Sequence, residues 1–175
     1  MTAIDFDSLW DYTKPDETER KFREALAELS QDDPFSVELL TQIARAQGLQ
    51  RKFDEAHNTL DIVEKKLNND ASRAQVRYLL ERGSAFNSSG NAAQARPLFE
   101  QAEEMANRLS EDSYVVDAVH MLAIISPPPQ SLILNLRAIK RAESSGQEKA
   151  RNWLGSLYNN TGWSYHDLGA YSIAL

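Results

Sequence analysis

An all-α fold is what this 175-residue sequence predicts, and three observations predict it. Its seven glycines and six prolines fall as punctuation between long uninterrupted stretches. Within those stretches apolar residues recur at helical intervals, so that one face of each helix is apolar. No stretch alternates with period two for long enough to make a strand.

Taken in order, Asp16 to Leu29 carries Phe22, Leu26 and Leu29 at i, i+4 and i+7, with Ala25 on the same face. Pro15 marks its start, and Asp16 facing Glu19 three residues on is the pattern of a cap. Val37 to Gly48 repeats the spacing through Leu39, Leu40, Ile43 and Ala44; Phe53 to Leu67 does so through Phe53, Ala56, Leu60, Val63 and Leu67. Further helical stretches are expected over residues 72–88, 92–109, 112–126, 130–144 and 148–168. Between two of them, Pro127-Pro128-Pro129 is expected to fix a stiff extended corner, because successive prolines cannot continue a helix.

The stretches also repeat. Gly83, Phe86, Gly90 and Ala95 stand at intervals of 3, 4 and 5, and Gly162, Tyr165, Gly169 and Ala174 show the same intervals. Phe99 and Ala102 extend the first set, and Ala44, Gln47, Arg51, Ala56, Leu60 and Val63 carry the spacing with poorer residues at its second and third places. This pattern resembles the tetratricopeptide repeat, a helix-turn-helix with small residues where two helices cross and glycine in the turn. Gly83 with Ala95, and Gly162 with Ala174, would stand where paired helices approach most closely.

The resemblance implies a right-handed α-solenoid of antiparallel helix pairs. Units open at Val37, Val76, Val116 and Gly155, offsets of 39, 40 and 39 residues, longer than the family's usual ~34. The expected organisation is therefore an N-terminal segment with a capping helix (1–35), then repeats over 37–75, 76–115, 116–154 and 155–175, the last incomplete. Two readings of that last unit stay open: a fragment of a longer protein, or an end covered by a second copy. Association through this C-terminal end is expected in either case, since an uncapped repeat exposes apolar surface.

Composition removes several function classes. Lys and Arg number 19 against 26 Asp and Glu, a net charge of −7, which repels nucleic acid. The chain has no cysteine, hence no disulfide framework, thiolate metal site or thiol nucleophile. The longest apolar run, Met121 to Ile125, is far short of the roughly 20 residues that span a bilayer. Asp5, Asp7 and Asp11, with no lysine or arginine beside them, do not make a secretory leader. A cytoplasmic protein is expected, binding neither nucleic acid nor membrane.

Chemistry is equally sparse. His57, His120 and His166 are far apart in sequence and lack carboxylates at metal-ligand spacing. No nucleophile elbow, phosphate loop or dinucleotide fingerprint occurs. No catalytic residue, metal or cofactor is expected.

What the resemblance does imply is a concave face lined by the first helix of each unit, where relatives commonly hold peptides. Of the positions it would turn inward, Gln42, Arg45, Arg77, Asn87, His120, Asn159, Asn160 and Trp163 are the candidate peptide-binding residues. Amides can hold an extended backbone and guanidinium groups an acidic one. The clamp with which some relatives grip a C-terminal carboxylate is disfavoured, because its positions hold Thr41, Arg45, Glu81, Asp117 and Met121. The expectation is a non-catalytic scaffold for a protein or peptide. The rival is a sensor or regulatory module of a longer signalling or transcription-regulating protein.

Overall fold

The computed structural model describes residues 6–30, 33–67 and 71–174. Regular structure among the described residues is all helical. A 3-10 turn at Phe6–Leu9 precedes α1 (Pro15–Glu28), α2 (Pro34–Leu49), α3 (Phe53–Lys66), α4 (Arg73–Ser88) and α5 (Ala92–Arg108). Then come α6 (Asp112–Ile124), α7 (Pro128–Ser144), the single turn α8 (Glu148–Arg151), α9 (Leu154–Asp167) and α10 (Tyr171–Ala174). Leu175 and the side chain of Ala174, at the end of the expected last unit, lie outside the described residues.

The chain divides into two compact units, Met1–Asn91 and Ala92–Leu175, a boundary inside the expected 76–115 repeat. Each is built from helices packed on their sequence neighbours. In the first, α2 packs on α1, α3 and α4, and α3 packs on α4. In the second, α5 packs on α6, α6 on α7, α7 on α9 and α9 on α10.

Burial follows the apolar spacing. Phe22 of α1 and Leu39 and Ile43 of α2 are fully buried together, flanked by Leu9, Trp10, Leu26 and Phe35. Each such side chain contributes about 1.5–3 kcal/mol. Ala56, Leu60 and Val63 line the inner face of α3, as Ala95, Phe99, Ala102 and Ala106 line that of α5. Helix α6 is apolar nearly all round and correspondingly buried, from Val115 to Ala123.

The turns share one backbone device. Arg51, Gly90, Ser110 and Gly169, each two residues beyond a helix end, have φ of 63°, 90°, 57° and 76°. The following N–H then reaches back five residues. Lys52 donates to Gln47 O at 3.0 Å, Asn91 to Phe86 O at 2.8 Å, Glu111 to Ala106 O at 3.0 Å and Ala170 to Tyr165 O at 2.9 Å. These are Schellman closures, and a new helix starts within two residues of each. Arg51, Gly90 and Gly169 hold one place in the repeating pattern, 39 and 79 residues apart in sequence.

The end of α6 cannot do the same, because Pro127 has no N–H to send back. There the Ser126 hydroxyl donates to Leu122 O at 2.7 Å, the carbonyl that the missing amide would have bonded. Arg96 of α5 in turn donates to Ser126 Oγ at 3.0 Å. The extended proline corner is corrected by the structure. Only Pro127 is extended, as the residue preceding α7, while Pro128 and Pro129 form the first turn of that helix. The first helical residues need no N–H partner, and proline's fixed φ suits them.

Two further expectations change. Residues 148–168 are not one helix: at Trp153 the backbone N–H bonds Ala150 O, three residues back, which separates α8 from α9. Nor does Glu19 cap α1, whose N-terminus has no side-chain cap. It turns inward, accepting from Gln50 Nε2 at 2.7 Å and Gln47 Nε2 at 3.3 Å. Gln47 Oε1 accepts from Thr59 at 2.8 Å, so one polar network ties α1, α2 and α3. Burial works to raise the Glu19 pKa, but the Gln50 hydrogen bond, Arg23 and the Lys52 charge outweigh it and hold the carboxyl below its usual range.

Candidate functional site

In the first unit the candidate residues are largely occupied by the protein itself. Gln42 is 1% exposed. Its Oε1 accepts from Trp10 Nε1 at 3.0 Å and its Nε2 donates to Thr41 Oγ1 at 3.2 Å, so it is closed to an outside ligand. Arg45 pairs with Glu81 at 3.1 Å and lays its guanidinium 5.7 Å from the ring centres of both Trp10 and Tyr12. Arg77 pairs with Glu38 at 2.8 Å, both groups mostly buried. These ion pairs join α2 to α4, and the Arg45–Glu81 pair is also a charge-assisted hydrogen bond between the two helices. Asn87, in the last turn of α4, is half-buried.

Sequence reasoning treated Arg45 and Arg77 as ligand contacts and missed their partners. The signal was present: Glu38 and Arg77 both occupy the second place of their units, and Arg45 and Glu81 are both among the five clamp positions named above.

A second cluster joins α3 to α4. Arg82 contacts His57 Nδ1 at 3.0 Å, donates to His57 O at 3.1 Å and pairs with Asp61 at 2.5 Å. Arg82 has protons to donate and none to accept, which makes Nδ1 the acceptor and places the proton of neutral His57 on Nε2. Burial, then the adjacent Arg82 charge, pushes the His57 pKa below its ordinary value.

In the second unit the candidates other than His120 stay nearer the surface. His120 is buried against Trp153, ring centres 5.3 Å apart, and its Nδ1 lies 3.4 Å from Asn160 Nδ2. Burial lowers its pKa. Asn160 is half-buried and Asn159 exposed. Trp163 is 61% exposed, edge-on to His166 at 5.5 Å, and His166 is edge-on to Tyr171 at 5.2 Å. The structure thus brings Asn159, Asn160 and Trp163 together on one helix, with His120 of α6 against Asn160. Gln42, Arg45 and Arg77 form a separate group in the other unit.

Among the described residues no group of three His, Asp or Glu is placed to hold a metal ion, and no helix is long and apolar enough to cross a membrane.

The fold and these faces define an all-helical protein of neighbouring helix pairs that presents aromatic and amide side chains on helix surfaces. No family model matches the sequence, and no curated protein matches it. Among solved structures it is similar to BtubC (BKLC) from P. vanneervenii, with a TM-score of 0.71 at 17% identity over 92% of this chain and 69% of that one. At that identity the likeness is one of fold.

Proposed function

We propose that the protein is a non-catalytic helical-repeat scaffold of tetratricopeptide type, a right-handed solenoid of antiparallel helix pairs, that holds an extended segment of a protein or peptide. One observation carries the reading. On α9 the inward positions of the repeat register, Ser156, Asn159, Asn160, Trp163 and His166, are all exposed or half-buried, and they combine amides with a large aromatic. Amides pair with an extended backbone, and an exposed tryptophan supplies contact area at little cost in conformational entropy. In the first unit the matching surface is the exposed part of Arg45 and Tyr12, since Gln42 and Arg77 are engaged internally.

Selection from a random-peptide display library on the immobilised full chain tests this. Replacing both Trp163 and Asn159 by alanine should weaken the selected peptides by roughly 2 kcal/mol or more, about thirtyfold, with the unfolding midpoint unchanged. Selected peptides indifferent to both substitutions would overturn the assignment. Self-association through the α9–α10 end belongs to the same proposal, because Leu168 and Tyr171 are exposed there. Sedimentation velocity should show a concentration-dependent increase in mass, and a monomer at all concentrations would remove that part.

A further inference from the structure

The surface of α2 around Gln42 and Arg45 is already filled by the protein's own chain, and the filling describes what else would fit. Trp10 donates its indole N–H to Gln42, meets Phe22 edge-on at 5.2 Å, and stacks on Tyr12 with ring centres 4.8 Å apart and planes 5° from parallel. Arg45 covers both rings while remaining paired to Glu81. Trp10 and Tyr12 are two residues apart and enter a tight turn, in which Lys14 N–H donates to Asp11 O at 3.1 Å, so that both rings are presented on one side.

A short latch holds this segment. The Thr18 hydroxyl accepts from Asp11 N–H and donates to Asp11 O, both at 3.1 Å, and Asp11 Oδ1 accepts from Thr13 N–H at 3.0 Å. Trp10 is only half-buried, and Tyr12 is 61% exposed. The segment therefore lies on the unit's surface, where its opening need not unfold the helices beneath.

We propose that the Gln42–Arg45 face of α2 is an acceptor site for turn-forming segments with two aromatic residues in an aromatic-x-aromatic pattern. The first aromatic would bear a ring donor, and the protein's own Trp10–Tyr12 segment is a displaceable occupant that competes for the site. This rests on the scaffold reading, but its test does not involve α9, so either can fail alone. A closed occupant lowers the apparent affinity for any competitor by the fraction of time the site stands open.

A fluorescein-labelled peptide of residues 8–14 is titrated, by anisotropy, into three full-length hosts: the natural chain, Trp10→Ala with Tyr12→Ala, and that pair with Arg45→Ala added. The expected result is saturable binding to the second host at least about tenfold tighter than to the first, and its loss in the third. Equal binding to the first two, or none to a folded second host, overturns the proposal. Should the double variant not fold, hydrogen exchange on the natural chain decides instead. The Asp11 and Thr13 amides should exchange at least about a hundredfold faster than that of Ile43 in α2. Equal protection would mean that the segment opens only when the unit unfolds, and would overturn the proposal equally.

Discussion

Left-handed corners give the sharpest test of the fold, because two of them bear side chains and two do not. At Gly90 the φ is +90°, and a Cβ added there would meet nothing within 4 Å. Gly90→Ala therefore introduces backbone strain without a steric clash. A non-glycine residue in this region costs about 1–2 kcal/mol, and +90° lies beyond the favoured left-handed well, which puts the expected loss toward the upper end. Arg51 already sits at +63° at the equivalent place. Arg51→Gly should recover about 1–2 kcal/mol of strain and return about 0.4–1 kcal/mol through a looser unfolded chain, for a net gain near 0.5 kcal/mol. Urea unfolding followed by far-ultraviolet circular dichroism measures both. With a slope of about 2 kcal/mol per molar, and with the unfolded-chain term offsetting part of the first loss, the Gly90→Ala midpoint should fall by about 0.5–0.8 M and the Arg51→Gly midpoint rise by about 0.25 M. Gly90→Asn should lose less than Gly90→Ala, since asparagine tolerates the left-handed region. A neutral Gly90→Ala together with a destabilising Arg51→Gly would refute the reasoning.

Other outcomes follow from the same geometry. Ser126→Ala strips the hydroxyl from Leu122 O and a partner from Arg96, and should cost about 0.5–1.5 kcal/mol in urea unfolding; no loss would show that water replaces it. His57 and His120 both have pKa values lowered by burial, so the folded state binds fewer protons than the unfolded one near their ordinary value of 6.5. Their stability contribution is complete above that pH and is lost as pH falls below it, toward the depressed folded values. The urea midpoint should therefore fall between pH 7.5 and pH 5.5, and fall less in a His57→Gln, His120→Gln variant; an equal fall would place the proton uptake elsewhere. Glu19 and Asp112 have lowered pKa values and act in a separate, more acid window, contributing above their unfolded pKa and losing that contribution as pH drops through the folded one.

The helices were legible in the sequence because burial of one face imposes a period on the chain. Phe22, Ala56, Leu60, Phe99 and Ala102 are all fully buried where that period places them. Less legible were features settled by one hydrogen bond. Apolar spacing does not distinguish a continuous helix from one tightened at Trp153, and it cannot say that Pro128 and Pro129 open a helix. Least legible was the candidate site. Arg45 and Glu81 are 36 residues apart, and only the packing of α2 on α4 tells a pairing cation from a waiting one. Asn159 and Trp163, by contrast, remained open because the structure gives them few competing neighbours on α9.

The bend that closes each corner resides in main-chain atoms, in a torsion and two amide contacts that any residue can make at some cost. Arginine or serine can thus stand where the turn would favour glycine, as the residues at 51 and 110 illustrate. The letters that announce a repeat would then fade over generations while the path of the polypeptide stays put, leaving the exchanged side chains at those bends free to take up new contacts.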